Sequence, residues 1–210
     1  MFSNYASLNR NDINEMNFCS YCGQPVTVMI PPDDDRMRHV CTVCNTVHYL
    51  NPKVVAGCIP VHEDRVLLCK RAIEPRAGFW TLPAGFMELG ETSLEAAVRE
   101  TLEEAKARVQ VRGLYAVFNL PHVDQVYLMF RSVLLDLDFA PGRESTEVRL
   151  FAESEIPWQD LAFATIRQTL QFYFADTRSG RFPLHTGDII KQDNVYSFHP
   201  GPSGTDTGDG

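Results

Sequence analysis

The chain has 210 residues, a length at which we expect one main domain and a smaller one. Hydrophobic residues make up 44% and charged residues 22%, which excludes a collagen-like, fibrous or wholly disordered chain. The formal net charge of -8 argues against a broad electrostatic surface for DNA or RNA, so nucleic acid is not an expected partner. Residues 1–17 form a polar segment without the apolar core of a signal peptide, and no apolar run approaches the ~20 residues of a membrane helix. We therefore expect a flexible N-terminal tail and a soluble cytoplasmic protein with no membrane partner.

Two pairs of cysteines frame the next segment of the chain. Cys19 and Cys22 are separated by two residues, and eighteen residues later Cys41 and Cys44 repeat that spacing. Each pair places two thiolates on one tight turn, and two such turns supply four sulfur ligands for Zn²⁺. The spacing predicts a structural zinc ribbon over residues 18–50.

The cysteine pairs have two alternative interpretations. Redox chemistry of a Cys-x-x-Cys motif is disfavoured, because it does not need two matched pairs. Nucleic-acid binding is disfavoured, because only two Arg accompany three Asp between Phe18 and Leu50 and make no basic surface. Cys58 and Cys69 lie in apolar runs, where we expect buried core residues.

Short apolar runs bounded by polar turns predict β-strands in the remainder of the chain. The first two runs surround a turn at residues 62–64 and predict a β-hairpin. Loops are predicted over residues 75–90 and 136–149. The predicted strands cover residues 54–61, 65–69, 109–119 and 123–135.

Two stretches predict α-helices. The first helix follows a capping-box pattern at Thr92 and Glu95, and it is expected to end near Lys106. The second helix is aromatic-rich and is predicted over residues 164–175. Residues 177–210 lack periodicity, which predicts a largely irregular C-terminal tail with a disordered end.

One face of the first predicted helix carries three carboxylates. At about 100° per residue, Glu100, Glu103 and Glu104 cluster on a face separate from the apolar stripe. Hard divalent cations with oxygen ligands relieve the repulsion between such like charges. Because Mg²⁺ commonly combines one or two carboxylates with substrate phosphate oxygens, the triplet points to phosphate chemistry. The alternative for the triplet alone is a solvated acidic face.

The spacing around these carboxylates resembles the Nudix box. Gly85, Glu91, the pair Arg99-Glu100 and the pair Glu103-Glu104 are separated by five, seven and two residues. Lys106 and Thr101 depart from the usual glycine and aliphatic residues of that pattern, so the exit of the helix is expected to differ.

The resemblance extends beyond the box. Leu67–Arg71, Gly78–Gly85 and Glu155–Pro157 are similar to segments before and after it in the family. With the cysteine pairs, the chain resembles zinc-ribbon Nudix hydrolases of the plant chloroplast FAD pyrophosphatase type and their bacterial relatives. The resemblance implies an α/β fold, with a Nudix α/β/α sandwich and a mixed sheet over residues 51–176, preceded by the small zinc ribbon.

The resemblance also implies roles for individual residues. Glu100, Glu103 and Glu104 would bind Mg²⁺ or Mn²⁺ with the carbonyl of Gly85, while Glu91 would support a metal or orient the helix and Arg99 would hold a glutamate. The general base comes from the box or from a later loop, where Glu147, counted with the catalytic residues, and Glu144 are candidates. Solvated loop charges are the alternative for both.

Substrate contacts are expected from four further residues. Arg71 and Arg76 are candidates for phosphate contacts, with ordinary surface charge as the alternative. Trp80 and Phe118 are candidates for stacking on a base or flavin ring, with burial in the core as the alternative.

The resemblance narrows the substrate to a dinucleotide-type small molecule. NADH pyrophosphatases carry a Ser-Gln-Pro-Trp-Pro-Phe-Pro-like motif after the box, which is absent from Val117–Asp124. Pro121 lies where ADP-ribose hydrolases often have a proline. We therefore favour FAD, hydrolysed to AMP and FMN, or ADP-ribose, hydrolysed to AMP and ribose 5-phosphate. The alternatives are an NADH pyrophosphatase or NAD-cap hydrolase and a non-catalytic nucleotide- or RNA-binding module. The resemblance to the family also implies a homodimer.

Overall fold

The computed structural model describes residues 16–193 and 195–201. The chain separates into two compact units, one before and one after the junction between Asn51 and Pro52. Residues 1–15, most of the predicted N-terminal tail, lie outside the described residues, as do residues 202–210 at the other end.

The first unit is a small antiparallel sheet of three strands. The strands β1 (Val26–Met29), β2 (Arg38–Cys41) and β3 (Val47–His48) lie in that order. Its few buried side chains include Cys19, Val40 and Cys41. An apolar core this small supplies little stability, so a metal bound by the cysteines would supply much of the folding free energy.

The second unit is built on a mixed sheet of nine strands. Its main path runs β10-β5-β4-β9-β8-β11-β12, while β6 pairs with β5 and β7 with β4. The pairs β4·β9 and β8·β11 are parallel, and the others are antiparallel. The strands are β4 (Lys53–His62), β5 (Arg65–Arg71), β6 (Trp80–Thr81), β7 (Ala84–Phe86), β8 (Val109–Leu120), β9 (Gln125–Leu134), β10 (Ser145–Phe151), β11 (His185–Gln192) and β12 (Val195–Pro200).

Two helices cover opposite faces of this sheet. Along β4, Val55 and Ile59 join the core cluster that contains the helix α2 (Ala164–Ser179). The alternate residues Ala56 and Cys58 join the cluster that contains the helix α1 (Ser93–Ala105). Because successive strand residues point to opposite faces, the helices lie on the two sides of the sheet, and the predicted α/β/α sandwich is confirmed.

The ends of α1 follow from its local sequence. Thr92 and Glu95 form the predicted capping box. At the other end Lys106 adopts a left-handed conformation with φ 53°, and its N–H donates to the carbonyl of Leu102 at 3.0 Å. The helix therefore ends with the backbone conformation that glycine favours, although the residue is lysine.

For the described residues of the segment 177–210, the prediction of an irregular C-terminal tail is wrong. The helix α2 continues to Ser179, and β11 and β12 form a hairpin that joins the sheet through the parallel pairing of β11 with β8. Only Gly187 and Ile189 of β11 are buried, so this edge hairpin carries a weak hydrophobic pattern. The predicted loop 136–149 is also too long, because its last residues belong to β10.

Within residues 16–193 and 195–201, no helix combines the length and the apolar composition needed to cross a membrane.

Candidate active site and zinc site

The four cysteines of the first unit converge on one point. Their sulfur atoms all lie within 4.8 Å of one another, with Cys19 Sγ 3.7 Å from Cys44 Sγ and Cys22 Sγ 3.5 Å from Cys41 Sγ. A tetrahedral zinc ion with Zn–S bonds of about 2.3 Å needs sulfur atoms about 3.8 Å apart. The N–H of Tyr21 also donates to Cys19 Sγ at 3.4 Å. The residues therefore fit a structural zinc ion.

The carboxylates of α1 meet the short strand β7 in the second unit. The side chain of Glu104 is buried, and its Oε2 accepts a hydrogen bond from the backbone N–H of Ala84 at 3.3 Å. Glu100 packs so closely on Gly85 that a Cβ at position 85 would collide with its carboxyl group. A side chain at position 85 would therefore displace the Glu100 carboxyl group from the strand.

Burial sets the electrostatics of this pair of carboxylates. It raises the pKa of Glu104 to about 8, and the neighbouring charge of Glu100 adds to the effect. Burial also raises the pKa of Glu100, against the opposing effect of Arg99. The buried carboxylate of Glu104 and the partly buried carboxylate of Glu100 supply hard oxygen donors, so the residues fit a divalent cation.

Arg99 connects three carboxylates around this donor set. Its Nη1 lies 2.6 Å from Glu100 Oε1 and 3.2 Å from Glu103 Oε2, while its Nη2 donates to the carbonyl of Phe86 at 3.1 Å. The same guanidinium binds Glu91 and, by hydrogen bonding, holds the pKa of that carboxyl near 2. In the part of the chain that the structure describes, the four cysteines are the only group of three or more His, Cys, Asp or Glu side chains whose ligand atoms all lie within 4.8 Å of one another. Glu91, Glu100 and Glu103 are each hydrogen-bonded to Arg99.

The three carboxylates of α1, Glu100, Glu103 and Glu104, line a large open cavity of about 1290 Å³. Arg71, Arg76 and Arg143 also line it and bring positive charge into the same space. The guanidinium of Arg71 lies 5.2 Å from the centre of the Phe163 ring, and its Nε donates to the carbonyl of Pro75 at 2.9 Å. Cations beside a buried oxygen donor set suit a substrate that carries phosphate groups.

Besides Glu91, three further residues predicted for this site lie outside the cavity. Glu147 is exposed on β10 with its carboxylate 3.9 Å from Lys70 Nζ, whereas Glu144 lines the cavity. Trp80 is buried edge-on against Phe151, and Phe118 is fully buried beside Phe172 and Phe198. The predicted ring stacking by Trp80 and Phe118 is wrong, because the hydrophobic core covers both rings.

Other aromatic residues line the cavity instead. Tyr127 lies on β9, His122 on the turn before it, Phe163 at the start of α2 and Tyr196 on β12. The sequence offers one indication for Phe163, which directly precedes the second predicted helix. It offers no indication for Tyr196, because the strand of Tyr196 falls in the segment predicted to be irregular.

The sandwich fold and the carboxylate-lined cavity are typical of a hydrolase that uses a divalent metal, and sequence comparison identifies the family. Residues 51–172 match the NUDIX domain, and residues 17–50 match the zinc-ribbon family described as Nudix N-terminal. The chain belongs to the NUDIX family and is a Nudix hydrolase with an N-terminal zinc ribbon. Enzymes of this family use divalent metals.

Individual relatives show how far the similarity extends. The ADP-ribose pyrophosphatase of Methanocaldococcus jannaschii is 32% identical over 113 residues, which are 52% of this chain and 67% of the relative. The NAD-capped RNA hydrolase NudC of Salmonella heidelberg is 38% identical over 107 residues, 50% of this chain but only 38% of the relative. A crystal structure of a NUDIX hydrolase from Nitrosomonas europaea is 57% identical with a TM-score of 0.82, and the match covers 84% of this chain and all of that one.

Proposed function

We propose that the chain hydrolyses the diphosphate bond of an ADP-linked compound. FAD, which would give AMP and FMN, and ADP-ribose, which would give AMP and ribose 5-phosphate, are the favoured substrates. One observation carries the proposal: the buried carboxylate of Glu104 and the partly buried carboxylate of Glu100 line the same cavity as four arginines. A diphosphate with bound metal carries the complementary charges for such a cavity.

Each group of residues has a part in this proposal. Glu100, Glu103, Glu104 and the carbonyl of Gly85 would hold Mg²⁺ or Mn²⁺. The bound metal supplies charge neutralisation at the phosphates and activation of the attacking water. Glu91 and Arg99 position the carboxylates, and the Cys19, Cys22, Cys41 and Cys44 site holds structural zinc.

The substrate side of the cavity has its own candidates. We assign phosphate contacts to Arg71 and Arg76, as the sequence suggests, and add Arg143. The carboxylate that can accept a proton from water is assigned to Glu144 rather than Glu147, because only Glu144 lines the cavity. A homodimer stays a prediction from the family resemblance, and light scattering on the purified protein tests it.

The relatives support an ADP-linked substrate without choosing among such compounds. The relative from M. jannaschii is named for ADP-ribose, which supports one of the two favoured substrates. The second candidate function, hydrolysis of NADH or an NAD cap, is supported by the 38% identity to a NAD-capped RNA hydrolase. The missing motif at Val117–Asp124 argues against it.

A turnover assay tests the proposal. The purified chain is incubated with Mg²⁺ or Mn²⁺ and, separately, with FAD, ADP-ribose and NADH, and chromatography identifies the products. AMP is expected from FAD or ADP-ribose, and it should disappear in Glu104→Gln but persist in Glu147→Gln. Preferred cleavage of NADH would establish the second candidate. Nucleotide or RNA binding without cleavage of any of the three would favour a non-catalytic binding module.

A further inference from the structure

A smaller compartment opens beside the main cavity. It has a volume of about 330 Å³, against about 1290 Å³ for the main cavity. None of the α1 carboxylates lines it. Both compartments are lined by the same border residues, which include Arg76, Phe163, Ile189 and Tyr196. A ligand that extends from the α1 carboxylates across this border enters the side compartment.

The side compartment lacks the carboxylates that line the main cavity. Beyond the border it is lined by the apolar side chains of Phe79, Leu161 and Phe198, together with neutral polar groups of Gln168 and Ser197. Arg167 also lines it, but its Nη2 donates to the carbonyl of Trp158. Among the described residues, no Asp or Glu lines this space. The aromatic side chains that line this space, with Tyr196 and Phe163 at its border, favour a planar heteroaromatic ring that can stack on them over a free sugar.

The C-terminal hairpin forms one wall of this compartment and is held firmly in place. The amide of Asn119 on β8 donates to Asp188 Oδ1 on β11 at 2.9 Å. A Cβ at Gly187 would collide with the carbonyl of His199 across the hairpin, so the two strands approach closely there. Phe198 packs edge-on against the buried ring of Phe118, with ring centres 5.8 Å apart. These contacts fix β12, the strand that carries Tyr196.

The ring of Tyr196 lies at the border between the two compartments. Its centre lies 5.7 Å from that of His122, in an edge-to-face arrangement, and 5.7 Å from Lys191 Nζ. The side chain is still 44% exposed, so part of its surface is accessible to a ligand. Phe163 contributes a second, half-buried ring to the same border.

We propose that the side compartment binds the second heteroaromatic ring of a dinucleotide, with Tyr196 as its ring contact. The substrate class is then a dinucleotide with a ring on each half, a flavin or a nicotinamide beside the adenine, in preference to ADP-ribose. This inference rests on the proposed hydrolysis of an ADP-linked diphosphate and selects among its substrates. It gives the C-terminal hairpin the role of a specificity element.

Mononucleotide binding tests the inference without any turnover. Fluorescence titration measures the affinity of the full chain for FMN and for reduced nicotinamide mononucleotide, and calorimetry measures the affinity for AMP. Tyr196→Ala should weaken binding of the preferred ring mononucleotide by about tenfold, as expected for the loss of one stacking contact, while the affinity for AMP changes by less than about twofold. Tyr196→Phe should restore ring binding. Val195→Ala is the matched control, because Val195 is the preceding residue of the same strand and lines neither compartment.

The outcomes separate this inference from the proposed function. Equal weakening of AMP and ring mononucleotide would assign the compartment to the adenosine half and overturn the inference. So would ring binding that is absent in the wild-type chain or unchanged in Tyr196→Ala. The proposed function fails instead if the wild-type chain releases no AMP from any of the three substrates. In the turnover assay, Tyr196→Ala should lower kcat/KM for FAD or NADH relative to ADP-ribose by at least about fivefold.

Discussion

Arg99 binds Glu91 through two parallel hydrogen bonds, from Nη2 to Oε1 at 2.6 Å and from Nε to Oε2 at 3.0 Å. The other terminal nitrogen of the guanidinium contacts Glu100 and Glu103 of α1. One planar cation therefore fixes a carboxylate from the preceding loop and two from the helix in a single arrangement. Because Glu91 lines no part of the cavity in the structure, we expect it to act through Arg99.

Arg99→Lys should reduce activity by about 10- to 100-fold and raise the metal concentration needed for half-maximal rate. A lysine keeps the charge but has one ammonium group, which cannot reproduce the two-point contact with Glu91 while still reaching Glu100. Rate against Mg²⁺ concentration is the measurement. Arg108→Lys, which changes an exposed ion pair with Asp136, is the control and should leave the metal dependence unaltered. An unchanged metal dependence in Arg99→Lys would show that the network does not organise the site.

Glu144→Gln should lower kcat by at least about 100-fold if Glu144 accepts a proton from the attacking water. Its carboxylate lines the cavity, and its charge contributes to the raised pKa of both Glu100 and Glu104. Glu147→Gln is the matched control, because Glu147 lies three residues away and outside the cavity, beside Lys70. We expect Glu147→Gln to retain kcat within about twofold. The reverse pattern, with the larger loss in Glu147→Gln, would assign the base to Glu147, the other candidate from the sequence.

Much of the fold and part of the site could be predicted because local sequence determines them. The capping box at Thr92 fixes the start of α1, and helical spacing alone places Glu100 and Glu104 on one face. The spacing of Cys19, Cys22 and the second pair likewise predicts the convergence of four sulfur atoms. In these cases the relevant contacts join residues that are close in the chain or that belong to a fixed motif.

The remaining site residues depend on contacts between distant segments. Trp80 and Phe118 were candidates because large aromatic rings suit both a core and a binding site, and only the packing against Phe151 and Phe172 decides between them. Tyr196 reaches the cavity because β11 pairs in parallel with β8, about seventy residues earlier in the chain. An edge hairpin with few buried positions does not reveal that pairing in its own sequence.

Cys41→Ser should abolish stoichiometric zinc binding and unfold the first unit. Cys41 is fully buried among the few core residues of that small sheet, and a bound metal would supply much of its folding free energy. Metal analysis should find about one zinc per wild-type chain, and hydrogen exchange should show loss of protection over residues 17–50 in the variant. Cys58→Ala removes another buried thiol, one that lies in β4, and should keep the zinc. Full zinc content in Cys41→Ser would contradict a four-cysteine site.

Asp176→Ala should lower the free energy of unfolding by about 1–3 kcal/mol. The carboxylate of Asp176 on α2 accepts hydrogen bonds from the Tyr115 hydroxyl on β8 at 2.7 Å and lies 2.7 Å from His185 Nε2 on β11. The substitution leaves the buried Tyr115 hydroxyl without its acceptor. It also removes the contact between α2 and His185 on β11. Urea unfolding measures the effect. Asp188→Ala, which removes an exposed hydrogen bond to Asn119, should cost less, about 0.5 kcal/mol. Equal losses in the two variants would show that the buried cluster adds no stability of its own.

In the metal-free protein, Glu104→Gln should become more stable relative to the wild type as the pH rises. Burial and the charge of Glu100 raise the pKa of Glu104 from 4.5 in the unfolded chain to about 8 in the fold. Between these values the folded protein holds a proton that the unfolded chain has released, so this carboxyl makes the unfolding free energy fall with increasing pH. Glutamine is neutral at every pH and lacks this dependence.

Urea unfolding in the presence of a chelator, at pH 5 and at pH 8, measures this difference. The advantage of Glu104→Gln should grow between the two pH values by an amount on the order of a few kcal/mol. Glu103→Gln is the control, because that side chain is 58% exposed and its replacement removes little desolvation. Saturating Mg²⁺ should abolish or reverse the advantage, since a cation that binds the ionised carboxylate stabilises the folded wild type but not the variant. A stability difference that stays constant with pH and is insensitive to Mg²⁺ would mean that Glu104 is neither strained by burial nor a metal ligand.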